Sequence, residues 1–413
     1  MLRRALRCVK AFFADNYGQM KILIVCQFFY PEKFSINDVA ASLARRGHDV
    51  LVVTGRPNYG YNQILEGYEH VTDEVYEGVR VHRCSLKARK KGRMSIIENY
   101  LSFWMSSKRY LRRLKEKFDV VYSMSLSPLI SIVGGTIYAR KHHVRHVLHC
   151  LDLWPESTVV TGAVKKGSLM YRVLFRWCRK IYSNLDEILI SSPSFLSYFR
   201  EELKVKNVKV SYVPQPPQTA EPEEKVAYSH KANFVYAGNI GTLQLVESLV
   251  MAMAKIPKEE DIGLHLIGMG SREAAVNELI VSLGLEDRVH FYGIKARPVT
   301  AGFYENATGI VVSLKEGGTV GKTIPSKLNS SLYYGRPILA IIQGDGREVL
   351  ESAGCAHFSA SESPEDIALA MQELAHMDEA KRNELGKNAK QYFADHYETE
   401  RVVDQIFDHL KIG

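Results

Sequence analysis

The segment Thr323-Ile324-Pro325-Ser326-Lys327 combines residue types that suit the binding of an anion. Proline is favoured in the first turn of a helix, where its missing N–H group costs nothing. That turn also leaves free backbone N–H groups and a partial positive charge, to which Lys327 adds a full charge. A diphosphate is a natural occupant of such a site. Alternatively, the segment is an ordinary surface helix that begins with proline, which is common.

A second element of this type lies in the same half of the chain. Residues 238–241, with the sequence Gly-Asn-Ile-Gly, follow an apolar run, and Gly268 and Gly270 follow another. Glycine allows a backbone to approach a ligand closely. Ligands of parallel α/β sheets bind at the carboxyl ends of the strands, where both segments are expected. Together with residues 323–327, they predict a site for a nucleotide diphosphate.

Size and charge suggest two domains of opposite character. A chain of 413 residues with 46% hydrophobic and 24% charged residues is typical of a folded protein with two cores. Up to Gln215 there are 35 basic and 18 acidic residues, against 19 and 28 beyond it. This asymmetry favours an anionic partner for the first half, such as nucleic acid, a membrane surface or a phosphorylated substrate. Alternatively, it is a basic surface with no specific partner.

The cysteines and the N-terminus bear on the cellular compartment. The 6 cysteines are scattered without a Cys-x-x-Cys pair, which predicts reduced core residues of a cytosolic protein. No uncharged apolar stretch approaches the ~18 residues that cross a bilayer. Residues 1–19 are basic and lack the apolar core of a signal peptide, whereas Met20 resembles a natural start. We interpret residues 1–19 as a leader or disordered extension, or alternatively as an interfacial helix on the inner leaflet.

Apolar runs alternate with helical patterns from Lys21 onward, which is typical of α/β domains with parallel sheets. A proline-rich, acidic stretch interrupts this pattern and predicts a linker over residues 216–230. We therefore predict two Rossmann-like, doubly wound domains, residues 20–215 with about 393–413, and residues 231–392. The predicted strands are Lys21–Cys26, Val50–Thr54, Val79–Cys84, Val120–Ser123, Val147–Leu151, Glu187–Ile190, Val210–Val213, Phe234–Ala237, Leu264–Ile267, Val289–Phe291, Ile310–Ser313 and Ile338–Ile341.

Two common ligand motifs are missing from the sequence. The first strand is followed by residues 27–31, Gln-Phe-Phe-Tyr-Pro, where a dinucleotide site requires Gly-x-Gly-x-x-Gly. This argues against a nicotinamide or flavin enzyme. There is also no Asp-x-Asp sequence, so a metal bridge to a diphosphate is not evident. Positive charge and helix N-termini are then expected to neutralise the phosphates without a metal or cofactor.

In their order along the chain, these motifs resemble the family-four retaining glycosyltransferases of the GT-B fold. More narrowly, they are similar to the bacterial group that builds capsule, O-antigen and related surface polysaccharides. The resemblance extends over nearly the whole chain from Met20. The matching segments are residues 29–32 and 36–38, 46–50, 54–59, 152–157, 237–241 with Gln244, 312–314 and 324–327.

The resemblance implies two Rossmann-like domains that face each other across a cleft, with the last helix crossing back near residues 392–397. The second domain would bind a nucleotide sugar, with UDP as the expected nucleotide, and Lys327 would neutralise the departing diphosphate. Many members carry a pair of glutamates where this chain has Lys322 and Ser330. The implied donor-binding residues are Gly238, Asn239, Gly241, Gln244, Gly268, Gly270, Tyr292, Gly293, Thr323, Ser326 and Ser330.

The first domain would bind the acceptor. Asp152 is expected to orient the acceptor hydroxyl or take its proton, and His149 is a second catalytic candidate or, alternatively, a packed side chain. The implied acceptor-binding residues are Asn58, Tyr59, Trp154 and Glu156. For Trp154 the alternative is core packing, and for Glu156 it is a helix cap.

The expected reaction is metal-independent transfer of a hexosyl or N-acetylhexosaminyl unit with retention of configuration. The expected acceptor is a saccharide on polyprenyl diphosphate, and the basic first half would meet the anionic inner face of the cell membrane. The alternatives are a sugar-nucleotide epimerase on the same fold, or a degenerate nucleotide-sugar-binding assembly subunit. Nucleic-acid binding lacks a basic motif interleaved with aromatic residues.

Overall fold

The computed structural model describes residues 18–90, 92–126, 128–318, 321 and 323–411. The chain divides into two compact units, one reaching to Pro216 and resuming at Thr399, the other spanning Pro217–Glu398. Nearly all of the predicted leader lies outside the described residues, as does Lys322. Within the predicted linker, the amide of Val226 donates to the carbonyl of Gly302 at 3.2 Å, so this part lies against the second unit.

The first unit is built on one sheet of eight strands. The strands are β1 (Lys21–Val25), β2 (Asp49–Gly55), β3 (Asp73–Tyr76), β4 (Val79–Cys84), β5 (Val120–Ser125), β6 (Arg145–Cys150), β7 (Glu187–Ile190) and β8 (Lys209–Tyr212). Their order is β3-β4-β2-β1-β5-β6-β7-β8, and only the edge strand β3 pairs antiparallel. The seven strands predicted for this half are confirmed within a few residues, and β3 was missed.

Helices cover both faces of this sheet. They are α1 (Ser35–Arg45), α2 (Arg93–Arg113), α3 (Val133–His142), α4 (Glu156–Val160), α5 (Leu169–Tyr182) and α6 (Phe195–Ser197). On one face, α1 packs through Val39 and Leu43 against Ile22 and Ile24 of β1.

The second unit is a six-stranded parallel sheet. Its strands are β9 (Ala232–Ala237), β10 (Ile262–Ile267), β11 (Val289–Phe291), β12 (Gly309–Ser313), β13 (Ile338–Ile341) and β14 (Ala356–Phe358). The order β11-β10-β9-β12-β13-β14 is the doubly wound Rossmann order, with a switch point between β9 and β12. The prediction of two doubly wound α/β domains is confirmed, although β14 was missed.

The remaining helices complete the two units. They are α7 (Val246–Lys255), α8 (Glu273–Ser282), α9 (Arg297–Glu305), α10 (Ser326–Tyr333), α11 (Asp345–Ala353), α12 (Pro364–His376), α13 (Glu379–His396) and α14 (Thr399–Leu410). Helix α14 belongs to the first unit, where Val403, Ile406 and Phe407 are buried in the same cluster as α1. The chain thus returns to its first unit immediately after α13.

Candidate active site

The carboxyl edge of the second sheet brings the two glycine segments together. Since β9 and β10 are neighbours, the loops that follow them lie side by side next to the switch point. The amide of Ile240 donates to the carbonyl of Met269 at 2.8 Å, and that of Gly238 donates to Ile267 at 3.0 Å. The two loops therefore form one backbone surface at the place where doubly wound sheets bind ligands.

The glycines permit this close contact. A Cβ atom on Gly268 would lie 1.8 Å from the carbonyl oxygen of Gly238, and one on Gly270 would lie 2.2 Å from that of Ile240. Gly268 also has a φ of +142°, which side-chain-bearing residues rarely adopt. Glycine is thus required at Gly268 and Gly270 because the two loops touch there. This requirement holds with or without a bound ligand.

Side chains of the first loop are linked to one another. Asn239 Nδ2 donates to Gln244 Oε1 at 3.2 Å, and the Tyr236 hydroxyl donates to the carbonyl of Asn239 at 2.7 Å. Ser313 Oγ holds the carbonyl of Gln244 at 2.6 Å. A Cβ on Gly241 would lie 2.5 Å from Asn239 Nδ2, so glycine is needed for this arrangement as well.

Lys327 reaches the same loop from α10. Its Nζ lies 3.9 Å above the centre of the Tyr236 ring, and its Cδ would lie 3.7 Å from a Cβ on Gly238. The ammonium group is buried and has no hydrogen-bond acceptor among the residues that the structure describes. Burial lowers the pKa of Lys327 to about 7. From the sequence, Pro325 is expected in the first turn of this helix. In the structure, Pro325 instead immediately precedes the helix.

Burying a cation without a hydrogen-bond acceptor costs free energy unless an anion binds beside it. The ring of Tyr236 compensates part of this cost, since a cation over an aromatic face is stabilised. Beside it, the backbone N–H groups at the start of α10 add a partial positive charge. This corner of the second unit is therefore suited to a phosphate group.

Three other residues that were predicted to bind the sugar donor lie on or near α10. Ser326 is exposed at the first helical position. Ser330 Oγ accepts a hydrogen bond from the amide of Gln218 at 2.9 Å, which gives it a structural partner in the predicted linker. Thr323 is half-buried ahead of the helix. Their predicted contacts with a donor stay predictions.

Tyr292 and Gly293 follow β11, next to the second glycine loop. The Tyr292 hydroxyl lies 3.0 Å from His265 Nδ1, and its ring packs edge-on against Phe303. The carbonyl of Gly293 accepts from the amide of Gly268 at 2.8 Å. Both residues thus border the glycine loops, and Tyr292 is fixed by protein contacts.

In the first unit, Asp152 lies just beyond the carboxyl end of β6 and is half-buried. Burial raises the pKa of its carboxyl group to about 7. A carboxylate that titrates near neutral pH is suited to accept a proton. Asp152 therefore keeps the role that the sequence predicted for it as a candidate base.

His149 is not placed for catalysis. It is fully buried, its Nδ1 lies 3.1 Å from the Tyr122 hydroxyl, and its Nε2 lies 3.1 Å from the carbonyl of Val213. Burial lowers its pKa to about 4. Because both ring nitrogens have protein partners, the packed alternative replaces the catalytic one.

Glu156 and Trp154 are also held by the protein. Glu156 is buried, and its Oε1 accepts from the hydroxyls of Tyr171 and Tyr198. Its Oε2 lies 3.5 Å from Lys166 Nζ. The prediction that Glu156 contacts an acceptor is corrected, since its carboxylate already has three partners. Trp154 is half-buried against the core cluster that contains Leu148 and Ile188, which agrees with the packing alternative.

Asn58 is a structural residue, contrary to the prediction that it contacts the acceptor. It is fully buried, and its Oδ1 accepts from Asn99 Nδ2 at 3.0 Å and from the amide of Arg89 at 3.1 Å. Tyr59, by contrast, is 47% exposed, with Arg89 stacked at 5.3 Å from its ring centre. Tyr59 therefore stays an acceptor candidate.

Two residues that support these sites were not identified from the sequence. Tyr236 supports Lys327 and the first glycine loop, and its position two residues before Gly238 was a usable signal. Glu32 is buried, and its Oε1 accepts from the amides of Asn58 and Tyr59 at 2.6 and 2.5 Å. Glu32 thereby fixes the loop that presents Tyr59, a function that no local pattern indicates.

Two features are absent from the described ranges. There, no group of three or more His, Cys, Asp or Glu side chains is arranged to hold a metal ion. Nor does any helix of those ranges combine the length and hydrophobicity that a bilayer-spanning segment requires.

Two family models match consecutive parts of the chain. A glycosyl transferase 4-like domain matches residues 34–216, and the glycosyl transferases group 1 model matches residues 217–392. These matches divide the chain at the same residue as the two units. With the two doubly wound sheets, they confirm the predicted GT-B fold class.

Relatives and a solved structure agree with this assignment. The chain is 24% identical to the probable glycosyltransferase WbjE of Pseudomonas aeruginosa, over 63% of its own length and 67% of that protein. It is 25% identical to the putative colanic acid biosynthesis glycosyl transferase WcaI of Escherichia coli K12, over 76% and 82%. Anabaena HepE, solved with UDP and glucose, superposes with a TM-score of 0.66 at 14% identity, over 95% and 99% of the two chains.

Proposed function

We propose that this chain, whose residues 34–216 match a glycosyl transferase 4-like domain and whose residues 217–392 match the group 1 model, transfers a sugar from a nucleotide diphosphate, with UDP as the nucleotide, to a lipid-linked saccharide. The observation that carries this proposal is the buried ammonium group of Lys327, which lies beside the Gly238 loop and has no hydrogen-bond acceptor within the described part of the chain. A diphosphate would supply the missing negative charge. WcaI, whose name refers to colanic acid biosynthesis, and HepE, solved with UDP, support the choice of pathway class and nucleotide.

In the proposed reaction, the bond from the anomeric carbon to the diphosphate breaks while the acceptor hydroxyl attacks the same face of the sugar. Lys327 and the N–H groups at the start of α10 stabilise the charge that grows on the leaving phosphate. Asp152, with a pKa of about 7, orients the acceptor hydroxyl or takes its proton. The departing phosphate oxygen is the alternative proton acceptor, and the sugar keeps its anomeric configuration.

No metal ion takes part in this proposal, since Lys327 and the helix N-terminus carry the positive charge. Turnover is therefore expected to persist after dialysis against EDTA. Dependence on added magnesium would contradict this part of the proposal. The anomeric configuration of the product, measured by NMR, tests retention separately.

The first experiment is a thermal-shift screen of UDP, GDP, ADP and CDP, followed by transfer assays with the corresponding sugars and a polyprenyl-diphosphate saccharide. Lys327→Ala is expected to lower kcat by about a hundredfold or more, because charge stabilisation at the leaving group is lost. Lys295→Ala is the matched control, since Lys295 is an exposed lysine of the same unit. Near-normal turnover by Lys327→Ala would remove this residue from the mechanism.

The proposed location is the cytoplasmic face of the cell membrane, as a peripheral protein. The basic first half, with 35 basic and 18 acidic residues up to Gln215, supports it. Each basic residue close to an anionic bilayer contributes about 1 kcal/mol of attraction. Sedimentation with anionic vesicles at low salt, and release at high salt, is the expected result.

A further inference from the structure

The first unit exposes apolar side chains on two helices. Met94, Ile97, Leu101 and Met105 of α2 are spaced so that they lie along one side of that helix. Leu169, Met170 and Val173 lie in the first turns of α5. All seven are between 40% and 79% exposed. Isolated exposed apolar residues are common, but two groups of them rimmed by charge mark an interaction surface.

Both helices cover the same face of the first sheet. Phe103 of α2 packs with Leu23 of β1 and Val121 of β5, whereas Ile181 of α5 packs with Leu148 of β6. The register pairs Leu23 with Val121, and Ser123 with Leu148. Since alternate residues of a strand point to the same face, Leu23, Val121, Ser123 and Leu148 share one face. The outer sides of α2 and α5 therefore look away from the sheet in the same direction.

The two helices also share a polarity. Each precedes a parallel strand, β5 after α2 and β7 after α5, so each begins at the carboxyl edge of the sheet and ends at the amino edge. Their exposed apolar residues lie in the N-terminal part, towards the edge where Asp152 lies. The basic residues follow in the C-terminal part, namely Lys108, Arg109, Arg112 and Arg113 of α2 and Arg172, Arg176, Arg179 and Lys180 of α5.

We propose that the outer sides of α2 and α5 form a membrane-binding surface whose apolar residues insert between the lipids of an anionic bilayer while the basic residues contact the headgroups. An apolar group backed by lysine and arginine is the pattern of interfacial helices. Charge selects this occupant over a second copy of the chain, because α5 has four basic residues and no acidic one. Two such surfaces facing each other would repel.

This inference rests on the proposed function for its purpose, since a lipid-linked acceptor would be presented beside Asp152. The binding itself does not depend on catalysis. Insertion also goes beyond electrostatic attraction, because apolar contacts persist when salt screens the charges. The two contributions are thus separable by experiment.

The test measures binding of the full chain to phosphatidylcholine vesicles with and without phosphatidylglycerol, at low and high salt. Two double variants remove the apolar groups, Leu169→Glu with Val173→Glu in α5 and Ile97→Glu with Leu101→Glu in α2. Each is expected to weaken binding to anionic vesicles by about tenfold or more. The matched control is Val281→Glu with Leu369→Glu in the second unit, where these residues are 64% and 54% exposed. Equal binding of wild type and both test variants would overturn the proposal.

A second measurement reports insertion directly. In a Leu169→Trp variant, the added tryptophan is expected to shift its emission to the blue on vesicle binding and to be quenched by brominated lipids. An unchanged emission in the presence of bound vesicles would overturn insertion. Circular dichroism and nucleotide thermal shifts verify that each variant is folded.

Two further outcomes separate this inference from the proposed function. Loss of self-association in the Glu variants, without any vesicle binding by the wild type, would identify a protein interface and overturn the proposal. Transfer to a detergent-solubilised acceptor is measured without vesicles, and we expect it to change less than twofold in the Glu variants. Vesicle insertion by a chain that transfers no sugar would refute the proposed function and leave the membrane surface intact.

Discussion

The buried ammonium group of Lys327 links nucleotide binding to pH. Its pKa is about 7 in the free protein, and a bound diphosphate would raise it because opposite charge favours the protonated form. Above pH 7 the free lysine loses its proton, and binding must then take one up. The affinity for UDP is therefore expected to be constant below pH 7 and to fall by up to about tenfold per pH unit above it.

Isothermal titration of UDP in buffers of different ionisation enthalpy measures this proton uptake directly. Lys327→Met, which cannot titrate, is expected to bind UDP more weakly and with a flatter pH dependence. A wild-type affinity that stays constant from pH 6 to pH 9 would show that the ammonium group does not contact the phosphates.

The raised pKa of Asp152 leads to a prediction about the stability of the fold. Its folded pKa of about 7 lies above the ordinary value of 3.8, so the folded state binds the proton more tightly than the unfolded state does. The ionised carboxylate therefore destabilises the fold as the pH rises, and Asp152→Asn removes this cost. We expect the variant to be more stable than wild type by about 1–3 kcal/mol at pH 8, with little difference at pH 4.

Urea denaturation at both pH values tests this expectation, and transfer assays complete it. If Asp152 orients or deprotonates the acceptor, Asp152→Asn lowers kcat and leaves the Kd for UDP unchanged. A stabilised variant with normal kcat would show that burial raises the pKa of this carboxyl group but that the group has no role in catalysis. A loss of stability at pH 8 would contradict the raised pKa.

The contact between the two glycine loops is expected to hold the proposed donor site together. A methyl group on Gly268 would overlap the carbonyl oxygen of Gly238, and its φ of +142° adds backbone strain. Gly268→Ala is therefore expected to cost about 3 kcal/mol of unfolding free energy and to weaken UDP binding, because the Gly238 loop must move.

Gly284→Ala is the matched control for this change. Gly284 also has a positive φ, of +60°, but nothing lies within 4 Å of an added Cβ. Its substitution should cost only about 1 kcal/mol, from backbone conformation, without an effect on UDP affinity. Similar losses of affinity in both variants would show that the loop contact is not specific to the site.

The sequence was informative for elements that are buried on both faces. Strands such as β1 and β13 are almost entirely apolar runs, and their positions follow from that pattern alone. By contrast, β3 lies at the sheet edge, where its exposed residues alternate with half-buried ones. Its sequence contains no apolar run. Strand β14 has only three residues, all half-buried. Edge strands carry little local signal because solvent faces part of their surface.

The sequence was less informative about which polar residues are free to bind a ligand. Asn58 and Glu156 look available in the chain, yet their partners, Asn99 and Tyr198, lie 41 and 42 residues away. A polar side chain near a strand end has the same appearance whether it meets a substrate or a distant hydroxyl group. Lys327 stays a prediction, which the sequence allowed because its helix start carries a local signal.

At the scale of the whole molecule, the first unit depends on the last helix of the chain. Ile406 and Phe407 of α14 are buried in the cluster that contains Ile22 of β1 and Leu43 of α1. Large apolar side chains cost about 2–5 kcal/mol each when they are truncated to alanine in a core. The double variant Ile406→Ala with Phe407→Ala is therefore expected to lose about 4–8 kcal/mol, which approaches the stability of an average domain.

This loss should fall on one unit alone, because α14 belongs to the first unit and the residues of the proposed donor site belong to the second. We expect two denaturation transitions in the variant, with an early one that leaves UDP binding intact. Asp408→Ala is the control, since Asp408 is exposed on the same helix. A single transition that abolishes UDP binding together with the fold would show that the two units unfold cooperatively and would contradict the division of stability between them.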